Sequence, residues 1–165
     1  MARTTRLPLL ALIAALALCA GDAGAARILL TELLARAPAT AGQPAISGLA
    51  LEACLREARA LDRTGTAIDY EIAAIDRLAA EGMFLQRQLD AEMPMLGGYD
   101  EPGLHEFQHR LIHHEELAKQ FQTQFPLYQQ KQKAYDAAVA DFDRDCGHNF
   151  AAGDLGAAKA NLGIK

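Results

Sequence analysis

Apolar residues recur in alternating steps of three and four positions through most of the second half of the chain. His114 and Gln132 are the polar members of this series. A repeat of 3.5 residues is typical of a helix that packs lengthwise against another helix. The pattern therefore predicts a long helix with one apolar seam, formed by Leu104, Phe107, Leu111, His114, Ala118, Phe121, Phe125, Tyr128, Gln132, Tyr135, Val139, Phe142 and Cys146.

Turn and capping residues set the ends of two long helices. The stretch MPMLGGYDEPG is rich in glycine, proline and aspartate, residues that favour turns, so a turn is predicted at 94–103. We expect Ser47 to cap the first long helix, Asp100 to cap the second, and Gly147 to end it. These signals predict a hairpin domain over 47–147.

Shorter segments flank this hairpin. A short helix and a linker are predicted at 26–46, with Ile28, Leu29, Leu30 and Leu33 on the apolar side of the helix. A last short helix and tail are predicted at 148–165, with Asp154 as the helix cap. No segment alternates apolar and polar residues over the length of a strand, so the chain is predicted to be all-α.

Two cysteines provide a register for the hairpin. If Cys54 and Cys146 form a disulfide, facing residues have position numbers that add to 200, and the turn centres on residue 100. This register places small residues opposite large ones, as close packing requires. It also pairs Gln86 with His114, which we interpret as a buried polar pair that specifies the register. The sequence thus predicts a long antiparallel helical hairpin closed by one disulfide.

Two features disturb the helical pattern, and one apolar stripe lacks a partner. Thr64-Gly65-Thr66 either admits the facing Tyr135 or breaks the first helix, and Pro126 is expected to kink the second. The terminal helices, or a second copy in a homodimeric four-helix bundle, are expected to cover the second stripe. That stripe contains Leu55, Ala67, Ala74, Leu78 and Leu85.

The N-terminus has the three parts of a secretory signal peptide. Arg3 and Arg6 precede a short apolar run that ends at Ala20, and Ala23-Gly24-Ala25 is a cleavage pattern. We therefore expect a Sec-type signal over 1–25 that is removed after Ala25. Lipid attachment at Cys19 and a retained anchor are the alternatives, although Leu18 is larger than the residue that usually precedes a lipidated cysteine.

Charge and cysteine content limit the partners and the compartment. The formal net charge is −5, and removal of the signal makes it more negative. This balance argues against nucleic acid and anionic membranes, which need clustered Lys and Arg. Removal of the signal also removes Cys19 and leaves two cysteines. An even number of cysteines in an exported chain is typical of a disulfide in an oxidising compartment. The alanine-rich, arginine-over-lysine composition indicates a bacterial protein, so the predicted location is the periplasm or the exterior.

Histidines on the second long helix are the candidate chemistry. His105, His109 and His113 are spaced one turn apart on the predicted outer face, where imidazole pairs can bind Zn²⁺, Cu²⁺ or Ni²⁺. Further ligands could come from Glu106, Glu116, Asp90 and Glu92. A merely solvated polar face and a pH sensor are the alternative interpretations. His148, close to Cys146, is a weaker candidate because a bonded cysteine offers no thiolate.

Catalytic signatures are weak. Ser47 is the one serine after the predicted signal, and it already has a capping role. The sequence therefore favours a protein that binds another protein of the envelope or a secreted protein, as an adaptor, a chaperone-like clamp or an immunity protein. In broad shape it is similar to small helical periplasmic stress proteins, but it lacks their LTxxQ repeats. The alternative function is metal binding or sensing by the histidine face.

Overall fold

The computed structural model describes residues 28–40, 43, 45–151 and 153–164. The predicted signal peptide, with its alternatives, lies outside these ranges. Two long helices form an antiparallel hairpin, so the predicted all-α fold is confirmed. The elements are α1 (Leu29–Leu34), β1 (Ala45–Ile46), α2 (Gly48–Glu92), a 3₁₀ turn (Met93–Gly98), α3 (Glu101–Cys146), β2 (Asn149–Phe150) and α4 (Asp154–Asn161).

The predicted disulfide closes the open end of the hairpin. Cys54 and Cys146 are bonded with their Cα atoms 5.7 Å apart, and 92 positions separate them in the chain. Both cysteines are buried. Because the bond joins the start of α2 to the end of α3, it holds together the two helix ends that lie farthest from the turn. We call this region the disulfide end, and we call the region of the 3₁₀ turn the tip.

Helix α2 does not break at Thr64-Gly65-Thr66. The two threonine hydroxyls donate to backbone carbonyls one turn earlier, at 3.1 Å to Ala60 and 2.8 Å to Asp62. Gly65 and Tyr135 are both buried, in agreement with the expectation that the glycine makes room at the seam. Helix α3 also continues through Pro126, and the kink expected there stays a prediction.

The core is thickest at the disulfide end. Helices α1 and α4 both pack on α2 there, and their apolar side chains join one cluster with those of the hairpin. Leu55, part of the second stripe, is fully buried in this cluster, whereas Ala67 is exposed. The terminal helices therefore cover only the first part of that stripe. The largest buried side chains here are Leu29, Leu33, Leu51, Leu55 and Phe142.

Two carboxylates tie the terminal helices to the hairpin. Asp62 on α2 accepts hydrogen bonds from the backbone N–H groups of Leu29 at 2.7 Å and Leu30 at 3.1 Å, so it satisfies the N-terminus of α1. Asp154 at the start of α4 accepts from the N–H of Gly48 at 2.9 Å. These long-range contacts give each short helix a polar attachment beside its apolar one.

The predicted N-cap position of α2 is confirmed, but the expected capping hydrogen bond of Ser47 was wrong. Ser47 occupies the N-cap position in extended conformation, but its side chain makes no capping hydrogen bond. The Asp154 carboxylate serves the N-terminus of α2 instead. The N-cap of α4 is not Asp154 but Gly153, whose φ of 93° is accessible to glycine. By contrast, Asp100 caps α3 as predicted, since its Oδ1 accepts from the Gly103 N–H at 3.0 Å.

A two-residue parallel bridge joins the linkers that flank the hairpin. Ala45 pairs with Asn149, and Ile46 pairs with Phe150. Ile46 and Phe150 are both buried, so the bridge carries apolar side chains into the same core cluster. The sequence did not predict it. Ile28 is another departure from the prediction, because it is 62% exposed and not on the apolar side of α1.

The seam departs from the predicted positions near the tip. Leu104 and Leu111 are each 40% exposed, whereas Leu117, outside the predicted seam, is only 5% exposed. The buried side of α3 therefore includes Phe107, His114 and Leu117 here, and the two leucines lie at its edge. The turn is also tighter than 94–103, because the 3₁₀ segment extends from α2 and only residues 99 and 100 separate it from α3.

Candidate functional site

Two of the three candidate metal ligands lie side by side. His105 and His109 are exposed on the outer face of α3, one turn apart, and their ring centroids are 4.5 Å apart in an edge-to-face arrangement. An imidazole nitrogen is a good ligand for Zn²⁺, Cu²⁺ and Ni²⁺ when neutral. The helix thus presents two adjacent nitrogen donors to solvent.

The third candidate points elsewhere. The Nε2 atom of His113 lies 3.1 Å from Oε1 of Glu81 on α2, with both side chains about half exposed. His113 therefore lies towards the flank of the hairpin that faces Glu81, and its role as a third metal ligand stays a prediction. This contact links the two long helices near the tip.

Three of the four carboxylates expected to complete a metal site contact other side chains. Glu92 accepts from Arg110, and Glu106 lies 3.6 Å from the same guanidinium. The hydrogen bond and charge of Glu92 raise the pKa of Arg110 above its usual value. Asp90 accepts from the Gln86 amide at 2.9 Å. Within the described ranges, no three side chains of His, Cys, Asp or Glu form a group that could hold a metal ion.

His114 is buried, as predicted from its seam position. Its exposure is 7%, and it is the buried polar residue of the described core. Gln86 is partly buried and donates to Asp90 on its own helix. The pairing of Gln86 with His114 therefore stays a prediction. His148 is exposed beyond the end of α3, and the bonded Cys146 leaves no thiolate beside it.

The tip displays apolar side chains to solvent, which the sequence analysis did not single out. Several of the exposed large apolar residues in the described part of the chain lie between positions 83 and 112. They are Met83, Phe84, Met93, Met95, Leu104, Leu111 and Ile112, with exposures of 39–55%. Isolated exposed apolar residues are ordinary, but a concentration at one end of a molecule marks an interaction surface.

Four of these residues fall along one flank of the hairpin. Helical periodicity places Met83 and Met93 of α2 beside Leu104 and Leu111 of α3 along one edge of the interhelical groove. The opposite flank carries cross-helix polar contacts, namely Arg110–Glu92, His113–Glu81 and Lys131–Glu71. We call the set Met83, Met93, Leu104 and Leu111 the tip surface. One flank therefore carries polar contacts between the helices, and the other carries the exposed apolar side chains.

Carboxylates surround the tip surface. Residues 81–116 contain eight Asp and Glu residues but only two arginines and no lysine. Asp90, Glu101 and Glu115 are exposed and lie on the same flank as the tip surface by helical position. Within the described ranges, no salt bridge involves any of these three. With His counted as neutral, residues 81–116 therefore carry a net negative formal charge.

A groove lies between the two long helices in the half of the hairpin nearer the disulfide. Its volume is about 730 Å³, and small side chains such as Ala60, Ala67 and Ala134 form much of its lining. Lys131 and Glu71 stand at its edge, joined by a 2.6 Å ion pair. The groove is open to solvent.

Comparisons with known proteins give no indication of function. No protein-family model matches the chain, and neither the curated proteins nor the solved structures contain a significant match to it. In the described ranges, no helix is both long and apolar enough to cross a membrane.

Proposed function

We propose that the chain is an exported, non-catalytic helical protein that binds a protein partner of the cell envelope, or a secreted protein, through its tip. The observation that carries this proposal is the exposure of Met83, Met93, Leu104 and Leu111 on one flank. Several large leucines and Phe142 are buried at the disulfide end, although Ile28 and Leu49 are exposed there. Seven exposed large apolar residues lie between positions 83 and 112.

Burial of the tip surface by a partner would be favourable. Apolar surface gains about 25 cal/mol per Å² when it leaves water, and the tip presents this surface on two rigid helices. Rigid presentation lowers the ordering cost of binding. Adaptor, clamp and immunity roles share this requirement for a preformed apolar surface.

The nucleophile content supports a binding role over a catalytic one. Cys54 and Cys146 are joined in a disulfide, and neither can act as a thiolate while bonded. Ser47 lies at the disulfide end, whereas the histidines of α3 lie towards the tip. His148 is at the same end as Ser47, but no hydrogen bond joins the two side chains in the described part of the chain. A catalytic serine or cysteine needs an adjacent base, and these residues do not supply that arrangement.

Site-specific photo-crosslinking in the native host tests the proposal. A photoreactive amino acid at Leu111 should yield a discrete covalent adduct with one envelope or secreted protein. Leu127 is the matched control, because it is an exposed leucine on the same helix but outside the tip. Identical adducts at both positions, or no adduct at Leu111, would contradict a binding role for the tip.

Metal binding is the second candidate function, and the 4.5 Å ring separation of His105 and His109 favours it. A metal held by the native state raises its thermal stability by mass action, by about 2.7 kcal/mol at one hundred times the dissociation constant. Zn²⁺, Cu²⁺ or Ni²⁺ should therefore raise the melting temperature of the wild-type protein. His109→Ala should remove the shift, and His148→Ala, a lone histidine at the other end, should retain it. Equal shifts in both variants would exclude the histidine pair as the site.

A further inference from the structure

We propose that the tip surface binds a cationic amphipathic helix, which packs its apolar side against Met83, Met93, Leu104 and Leu111 while its Lys and Arg residues meet the surrounding carboxylates. This inference rests on the proposed function, since it assigns a chemistry to the partner. It goes beyond that function because it specifies the shape, the charge and the apolar character of the bound segment.

The dimensions of the tip surface fit a short helix. Met83 and Met93 are ten residues apart on α2, which corresponds to about 15 Å along the helix axis. Leu104 and Leu111 are seven residues apart, about 10 Å, on the adjacent helix. Two parallel rows of apolar side chains along a groove accept the i, i+3, i+4 and i+7 positions of a third helix. The occupant then completes a local three-helix arrangement.

The composition of the surface favours an adaptable apolar contact. Met83 and Met93 supply flexible, polarisable side chains, and methionine is frequent on surfaces that accept differently shaped apolar groups. The leucines and the helical backbone beneath them are fixed by the hairpin. The tip surface can therefore accommodate different apolar residues on a bound helix without loss of its own shape.

The negative charge of the tip indicates that the bound helix should carry positive charges. Asp90, Glu101 and Glu115 lie beside the apolar residues, and eight carboxylates against two arginines make the whole tip acidic. Complementary potentials raise the association rate and disfavour partners of the same charge. An acidic helix or an anionic membrane would be repelled. A helix with Lys or Arg on either side of its apolar stripe matches the surface.

Fluorescence anisotropy with a labelled model peptide tests this inference on the full-length protein with its disulfide intact. The probe is a leucine–lysine amphipathic peptide of about 14 residues. A second peptide keeps the leucines and replaces every lysine by glutamate, and a third has the lysine–leucine composition in scrambled order. We expect saturable binding of the first peptide only, with affinity that falls as salt is raised.

Protein variants locate the binding site. Met83→Gln should weaken binding by roughly tenfold, equivalent to 1.4 kcal/mol, because a polar amide replaces an apolar contact. Glu101→Gln should weaken it by a smaller factor and flatten the salt dependence. Leu127→Gln is the matched control and should bind like the wild type. All three positions are exposed, so urea unfolding of each variant should match the wild type. If Met83→Gln does not fold, Glu101→Gln provides a second measurement.

Three outcomes would overturn the inference. The first is equal binding of the lysine and glutamate peptides, and the second is loss of binding in Leu127→Gln to the same degree as in Met83→Gln. The third is a wild-type dimer that Met83→Gln converts to a monomer without any peptide binding, which would make a second copy of the chain the occupant. A crosslinked partner at Leu111 together with no binding of the lysine peptide would refute only the cationic helix and leave the proposed function standing.

Discussion

Replacing Cys54 and Cys146 together by alanine removes the covalent link at the disulfide end and leaves the rest of the hairpin in place. The unfolded chain then regains the freedom that the bond took from it. A bond across 92 positions lowers the entropy of the unfolded chain by an amount equivalent to about 4.6 kcal/mol at 25 °C in the chain-entropy account. We therefore expect the free energy of unfolding to fall by about 4–5 kcal/mol, a large part of the total for a domain of this size.

Chemical denaturation measures this loss. Circular dichroism at increasing urea should place the midpoint of the variant about 2 M below that of the wild type, for an m-value near 2 kcal/mol/M. Reduced wild-type protein should show nearly the same shift, because both thiols remain in the buried sites that the cysteines occupy. Any extra loss in the alanine variant reports the volume removed from the core. A reductant should leave the alanine variant unchanged.

A midpoint shift below about 0.5 M, equivalent to about 1 kcal/mol at that m-value, would refute the reasoning. It would mean that the terminal segments already hold the open end together. The structure offers those segments a means to do so, since Asp62, Asp154 and the β1–β2 bridge all lie near the disulfide. The same experiment therefore decides between covalent and non-covalent closure of the hairpin.

Three smaller perturbations test other contacts. Asp62→Ala should cost about 1–2 kcal/mol and speed amide hydrogen exchange in Leu29–Leu34, as measured by mass spectrometry; unchanged exchange would refute the capping role. Asp154→Ala should cost about 1 kcal/mol in urea unfolding, because the Gly48 N–H loses its acceptor. Burial, and then nearby carboxylates, raise the pKa of Tyr128 above 10.0, so the unfolded chain ionises first and stability falls as pH rises through that region. Tyr128→Phe should lose less stability than wild type between about pH 9 and pH 11 in urea titrations, and an equal loss would contradict the shift.

The hairpin could be predicted because its signals are local or periodic. The seam of α3, the cap at Asp100 and the turn residues each depend on neighbours within a few positions. The cysteine pair added the one long-range constraint that the register required, and the bond between Cys54 and Cys146 confirms it. These elements could therefore be predicted from local and periodic patterns in the sequence.

The attachments of the terminal helices could not be predicted in the same way. Asp62 meets Leu29 across 33 positions, and Asp154 meets Gly48 across 106. The residues around such an aspartate do not indicate that its carboxylate will accept a hydrogen bond from another helix. Ser47 satisfied the local rule for a cap, but tertiary placement brought a stronger, charged acceptor to the same N-terminus.

The tip surface was missed for a geometric reason. Every second member of the predicted seam is buried along the whole of α3, from Phe107 through His114 to Phe142. The other members include Leu104 and Leu111, which lie at the edge of the buried side and are partly exposed, whereas Leu117 is buried. A 3.5-residue pattern gives both sets equal weight, so it does not separate a central position from an edge position. The histidine pair was found because a spacing of four residues is visible directly in the sequence.

Both terminal helices attach to the hairpin at its disulfide end, so the rest of the hairpin projects from that end as a long arm. Helix α3 has 46 residues and extends for about 70 Å, so a tilt of 10° at the base would swing the tip through about 12 Å. A protein bound at the disulfide end could thus move a partner bound at the tip over a distance larger than the diameter of an α-helix. A fluorophore at each end would report such a swing as a change in energy transfer.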